Sequence, residues 1–315
     1  MLLIATTDYK RIASLSWAAF AAALGLLFLC MVAGRTINGA KSWIMIGGFG
    51  IQVAEYCKVL YIVTLAGLLR YRKKLESLGA MVVPLGVTGI LLGLILLQPD
   101  FGTAMIFIPV FFTMMWCSGA PARILVPMQI GGAAMLPIAY LSGIFKEHQM
   151  ARINTYLASL TGGELDRNGD GYHITMSMNA IGSGGFSGKG YGEGILSQYD
   201  FLPERHTDFI FSVIAEEWGF VGSMLLFALY FIFLVLLLRV ALATKEPFGR
   251  MLAVGIATMF FAQFVINVGM TCGVMPVTGI PLPFVSYGGS SLLTGFLALG
   301  IILSVHVHPT RVLGR

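Results

Sequence analysis

The sequence predicts an all-α polytopic membrane protein, a bundle of about eight transmembrane helices with one large loop outside the membrane. Three observations predict it. Of 315 residues, 57% are hydrophobic and 11% are charged, against roughly 25% charged in a soluble domain, which excludes an ordinary cytosolic enzyme. Windows of about 20 residues with almost no charge recur, the length a helix needs to cross a hydrocarbon layer about 30 Å thick. These windows are continuous and rich in Leu, Ala, Gly and Met, whereas a transmembrane barrel alternates over strands of about ten residues.

The spans fall in order near residues 12–34, 51–69, 79–97, 104–117, 124–145, 209–243, 251–270 and 288–308. Met1 to Ala5 is too short for the apolar core of a signal peptide and runs into polar Thr6 to Arg11, so the first span is expected to serve as its own insertion signal. An even number of spans puts both termini on one side. One set of loops and ends then carries Lys10, Arg11, Arg70, Arg72, Lys73, Lys74, Arg123, Arg239, Lys245, Arg250, Arg311 and Arg315. The other carries Arg35, Lys41, Lys146, Arg152, Arg167, Lys189 and Arg205, five of them in one long segment that has little say in orientation. The first set marks the cytoplasmic side, with both termini there. Residues 1–315 read as a single integral membrane domain, and 146–208 as a large extracytoplasmic loop where function concentrates.

The net charge of +5 is therefore a topology signal, not a nucleic-acid footprint. The outer side holds Asp100, Glu147, Glu164, Asp166, Asp170, Glu193, Asp200, Glu204 and Asp208, and a carboxylate-rich face does not suit nucleic acid. Cys30, Cys57, Cys117 and Cys272 sit singly in apolar stretches, without metal-ligand spacing, and read as free thiols. No internal repeat is visible.

Five constellations carry candidate chemistry. In FLPERHTDFIF (201–211), Pro203 stops what precedes, Thr207 is placed to cap the following helix, and Asp208 falls in its first turn. Asp208 is thus either a capping carboxylate or a general base, set at the lipid boundary with Arg205 and His206 beside it, where desolvation and cations pull its pKa in opposite directions. The residues leave these two equally open. Glu55 and Lys58, three apart inside the second span, share a helix face and can pair, structurally or functionally. Glu216 and Glu217 read as interface markers. Gly182 to Gly194 has seven glycines in thirteen residues, yet fits neither the phosphate-loop nor the dinucleotide pattern. It reads as a flexible loop, or as a tight one whose amides and Lys189 approach an anion. Asp166 to Gly171 begins like a calcium loop but meets Ser177 where a Glu should stand, so a turn is expected. The last is PVTGIPLPFVSYGGSS (276–291), irregular backbone that membrane depth tolerates only against protein or water. A helix start at Gly288, Gly289, Ser290 and Ser291 would offer amides to an anion such as pyrophosphate, or simply be capped.

FLPERHTDFIF, GYHITMSMNAIGSGGFSGKG, PLPFVSYGGSS, QPDFGTA and NGAKSW, five motifs that stand along the chain in the family's order, resemble the SEDS family of bacterial cell-wall polymerases, from about residue 34 to the C-terminus. FLPERHTDF is closer to the family's elongation branch than to its division branch. The resemblance implies a multi-pass protein of the bacterial cytoplasmic membrane that polymerises lipid II into a lipid-linked glycan strand. A sugar 4-hydroxyl attacks an anomeric carbon and undecaprenyl pyrophosphate leaves. It implies that Asp208 is the essential carboxylate that deprotonates the acceptor. It also implies substrate contacts from Glu55, Lys58, Arg152, Lys189 and Arg205, to which the residues themselves add His206, Ser286, Gly288, Gly289 and Ser290 as candidates. Its partners would be a class B penicillin-binding protein and the elongation machinery. No cofactor is required by the residues, although the loop carboxylates make Mg²⁺ or Mn²⁺ conceivable.

This sequence departs from the family pattern at Gln52-Val-Ala-Glu55 in place of Gln-Pro-Ser-Glu, at Ser42 where the basic residue is Lys41 one earlier, and at Met176 in place of a glutamine. The family usually has about ten spans, so the resemblance implies a chain that begins without the first helix and most of the second. Two other functions compete: a transporter of the lipid-linked precursor, motivated by the intramembrane Glu55 and Lys58, and a noncatalytic scaffold for the penicillin-binding protein.

Overall fold

The computed structural model describes all residues except 38–39, 48, 71–77, 143–146, 162–168, 199–200, 203 and 309–315. The chain opens with α1 (Leu2–Ala5), α2 (Tyr9–Ser14) and α3 (Ser16–Ala33), then β1 (Arg35–Ile37), β2 (Ala40–Ile46) and β3 (Phe49–Gln52). Helices α4 (Val53–Leu69), α5 (Leu78–Leu97), α6 (Phe101–Cys117) and α7 (Ala122–Leu141) follow. Next come α8 (Glu147–Thr161), α9 (Asp170–Gly184) and α10 (Ile195–Gln198), and last α11 (Ile210–Ala243), α12 (Pro247–Thr271) and α13 (Gly289–Val307).

Each of the eight expected spans is helical over most of its length. Among the described residues, α3, α5, α11, α12 and α13 are long and apolar enough to cross a membrane, and α6 is a shorter apolar helix. The protein is a multi-pass membrane protein. The large loop is not open coil, since α8, α9 and α10 occupy much of it. Of the half calcium loop, Asp166 to Asn168 lies outside the described residues; Ser177 is buried, its hydroxyl 2.6 Å from that of Ser212 and donating to the Thr271 carbonyl at 2.7 Å, so it is no ligand. Pro203, Arg72, Lys73, Lys74, Lys146, Arg167, Arg311 and Arg315 also lie outside the described residues.

The all-α expectation needs one addition, an antiparallel sheet in the order β1-β2-β3. Trp43 pairs with both Arg35 and Gln52, and Met45 pairs with Gly50. Four glycines among residues 35–52 disfavour a helix there, and Gly47 takes φ of 56° at the second reversal, a geometry that hairpin turns require and glycine adopts without strain.

The chain divides into two compact units. Unit 1 comprises Met1–Val126, Phe233–Ala262 and Gly289–Arg315; unit 2 comprises Pro127–Ile232 and Gln263–Gly288. The core of unit 1 is α4, with 13 of its 17 residues buried, so it is surrounded by protein and can hold polar side chains away from lipid. Tyr61 stacks on Phe107 at 4.6 Å and its hydroxyl lies 3.0 Å from that of Thr88. The sheet is tied in by Lys41, whose Nζ donates to the Met31 carbonyl at 2.7 Å, and by Ser290, whose Oγ accepts from the Gln52 amide at 3.0 Å.

Helix α11 is 34 residues long, about 50 Å at 1.5 Å per residue, far more than a bilayer core needs. The excess is resolved at Gly219, whose φ of 65° and ψ of −159° break the helix. Residues after it still suffice to span, and the short piece before it is free to support the outer segment.

Candidate active site

The turn that carries Asp208 rests on apolar packing. Phe209 is buried with Ile174, Leu202 and Val277, and Met176 and Val213 pack against them; His173 stacks on Phe209 at 6.0 Å. Burying these side chains draws the adjacent backbone out of water. Glu204 takes φ of 51°, and its carbonyl accepts from the amides of Thr207, Asp208 and Phe209 at 3.1, 3.1 and 3.3 Å. Helix α11 begins only at Ile210, so Asp208 stands before the helix and not in its first turn. Thr207 is not the cap expected from sequence: the Phe209 amide it would receive is spent on Glu204, and its hydroxyl donates to Glu204 Oε2 at 3.0 Å.

The segment 276–288 closes over this turn. Asn267, fully buried in α12, donates from Nδ2 to the carbonyl of Asp208 at 2.8 Å and to that of Ile280 at 2.7 Å. Ser286 Oγ donates to the Thr207 carbonyl at 2.5 Å while accepting from the Leu282 amide at 2.7 Å. The Tyr287 amide donates to the His206 carbonyl at 2.8 Å. Gly279, with φ of 68°, lies against the carboxylate: a Cβ there would sit 3.2 Å from Asp208 Oδ2. Five hydrogen bonds and one bare glycine thus fix where the carboxylate points.

Asp208 is half-buried. Loss of hydration, reinforced by Glu204, pushes its carboxyl up to about 6, against the opposing pull of Arg152 and Thr207. A carboxylate titrating close to neutral accepts a proton far better than an ordinary aspartate and is still ionised at pH 7.

Lys189 and Arg205 are each held by other residues of unit 2. Lys189 Nζ donates to Glu216 Oε1 at 2.8 Å. The Arg205 guanidinium donates to the carbonyls of Ser197 and Gln198, and its Nε donates to His206 Nε2 at 3.2 Å. The glycine-rich segment is not a floppy loop. Its amides at Lys189 and Gly190 donate to the carbonyls of Glu216 and Glu217, and its carbonyls at Gly185 and Phe186 accept from Phe220 and Val221, at 2.9 to 3.1 Å. The glycines allow this contact: a Cβ at Gly184 would meet the Ala215 carbonyl oxygen at 1.9 Å.

Unit 1 holds Glu55, Lys58, Gly289 and Ser290. Glu55 and Lys58 pair at 2.6 Å with exposures of 3% and 1%, which decides that the pair is shielded from bulk water, and Glu55 Oε2 has no hydrogen-bond partner among the described residues. Ser290 Oγ accepts from the Gln52 amide, while Gly289 is exposed. Gly288 belongs to unit 2 and is half-buried. Within unit 2 the structure brings Ser286 and Arg152 to the turn of His206 and Asp208. Sequence reading missed Asn267, Gly279 and the supporting role of Glu216; a lone Asn within the apolar run of α12 was the available signal. Among the described residues no group of three or more His, Cys, Asp or Glu is placed to hold a metal ion.

Residues 1–311 match the family model FTSW_RODA_SPOVE, described as cell cycle protein. The chain is 35% identical to a peptidoglycan glycosyltransferase RodA of Treponema pallidum, over 97% of this chain and 86% of that protein. It is 37% identical to a probable peptidoglycan glycosyltransferase FtsW of Trichlorobacter lovleyi, over 92% of this chain and 75% of that one. Among solved structures it is similar to a chain of a peptidoglycan synthase complex that coordinates polymerization and crosslinking, with a TM-score of 0.82, 34% identity, and coverage of 97% of this chain and 84% of that chain.

Proposed function

The chain belongs to the FtsW/RodA/SpoVE family of cell cycle proteins, and from that premise we propose that it is a peptidoglycan glycosyltransferase that polymerises lipid II, with Asp208 as the general base. The observation that carries this reading is the Asp208 carboxylate, half-buried, raised to about 6 and aimed by Asn267, Ser286 and Gly279. In this role Asp208 takes the proton of the acceptor 4-hydroxyl as its oxygen attacks the anomeric carbon of the donor, and undecaprenyl pyrophosphate departs. Arg152, whose charge already acts on Asp208, supplies a cationic partner for the pyrophosphate. Residues 1–315 act as one integral membrane domain of the bacterial cytoplasmic membrane, with both termini cytoplasmic and most of the site on segment 146–208. A class B penicillin-binding protein is the partner that crosslinks the product, a reading supported by the similarity to a chain of a complex that couples polymerization with crosslinking.

The test is polymerisation of purified lipid II by the purified protein and by Asp208→Asn. Loss of glycan product in the variant supports the role, and unchanged chain growth rejects it. The buried Glu55–Lys58 pair favours a second reading, transport of the lipid-linked precursor. Glu55→Gln that stops translocation in liposomes while polymerisation continues would establish that one instead.

A further inference from the structure

Four hydrogen bonds converge on the side chain of Glu216. Its carboxylate is completely buried. Oε1 accepts from Lys189 Nζ at 2.8 Å, from the Leu196 amide at 3.0 Å and from Ser183 Oγ at 3.4 Å, and Oε2 accepts from the Ser197 amide at 2.9 Å. Removing a carboxylate from water costs several kcal/mol, and an ion pair so bought often stabilises a fold no better than apolar side chains of the same size. The bonds of Glu216 do, however, pin one particular stretch of chain, α10. The carbonyls of Ser197 and Gln198, at the end of that stretch, receive the Arg205 guanidinium. Arg205 follows Glu204, whose carbonyl gathers the amides of the catalytic turn.

We propose that Glu216, locked by Lys189, is a positioning residue of the polymerase site: it fixes the 195–198 segment, that segment fixes Arg205, and Arg205 sets the turn that aims Asp208. Lys189 is thereby a strut, its ammonium paired with Glu216. The inference rests on the glycosyltransferase reading for its kinetic consequence and on hydrogen bonds alone for its structural one.

The experiment uses the full-length protein in proteoliposomes, with Glu216→Gln, Lys189→Met and Lys189→Arg measured beside Asp208→Asn. Two readouts are taken. The first is hydrogen exchange of the Thr207, Asp208 and Phe209 amides. The second is the polymerisation rate as a function of pH, split into kcat and KM. Among the described residues, the charged and titratable groups that act on Asp208 or share its turn are Glu204, Arg152, Arg205 and His206, with His173 beyond Phe209, and none of them is altered in these variants. Glu216→Gln is expected to speed exchange of the turn and to lower kcat about tenfold to a hundredfold, the scale of a misplaced catalytic group, with KM changed less than about threefold. As the turn opens to water, the acidic limb of the rate profile should move to lower pH. Lys189→Arg should restore most of what Lys189→Met loses. Slow exchange of the turn in both Glu216→Gln and Lys189→Met overturns the inference whatever the activity does. A loss of rate that merely follows the folded fraction, with the limb unmoved, overturns it as well. If Glu216→Gln does not fold, Lys189→Met, altered at a side chain 26% exposed, decides alone. Polymerisation by Asp208→Asn would sink the base assignment instead, and exchange of the turn would still judge the strut.

Discussion

Lowering the pH from 7 to 5 should cut the rate of glycan polymerisation about tenfold. Asp208 must be ionised to take a proton, and its carboxyl is raised to about 6. A carboxyl at that position is about 91% ionised at pH 7 and about 9% at pH 5, while an ordinary aspartate near 3.9 would lose less than about a tenth of its ionised form over the same range. The sign follows from the cause, since burial disfavours the charged form of an acid. Arg152 acts the other way, so Arg152→Gln should carry the midpoint of the limb above that of the parent. The assay is the initial rate of chain growth from purified lipid II at constant ionic strength, with tryptophan fluorescence recorded at each pH to show that the protein stays folded. A rate that is level from pH 7 to pH 5 in a folded protein would refute the assignment of Asp208 as the base.

Three further outcomes follow from the same geometry. Asp208→Asn should raise thermal stability at pH 8 while removing activity: a carboxyl whose folded pKa lies above its unfolded value costs stability once the pH exceeds both, here by about 1 to 3 kcal/mol, read as a higher Tm. Asn267→Leu deletes the two bonds that tie the Asp208 and Ile280 carbonyls and should cost about 2 kcal/mol in denaturant unfolding, with kcat falling more than the folded fraction. Lys58→Met leaves the Glu55 charge buried without its partner and should destabilise by about 3 to 5 kcal/mol, whereas the double variant with Glu55→Leu should recover most of that loss; equal stability of the single and double variants would contradict the pairing.

The spans were legible because lipid imposes one long, continuous signal, and each predicted apolar stretch is helical over most of its length. The sheet escaped because two short signals were passed over. Asn38-Gly39 and Gly47-Gly48 are each two-residue hairpin signals flanked by strand-forming residues, but a search for spans treats glycine only as an interruption. Asp208 was legible as a candidate, yet its choice between cap and base depended on where α11 starts, and a two-residue difference in a helix boundary lies below what local sequence resolves. Glu216 looked like an interface marker since its partners lie 19 to 33 residues away, beyond any local pattern. The glycine-rich segment was open to two readings, looseness or close approach. Its neighbours decide for close approach, and those neighbours come from later in the chain.

That last arrangement has a consequence for biosynthesis. Residues 184–190 obtain their backbone partners from 215–221, which a ribosome delivers roughly thirty residues later, at about 5 to 20 residues per second. For the intervening seconds the nascent outer segment has its glycines and no surface to zip onto. Its final shape is set when the following span arrives with its break at Gly219, so insertion of that span and maturation of the outer segment become one event.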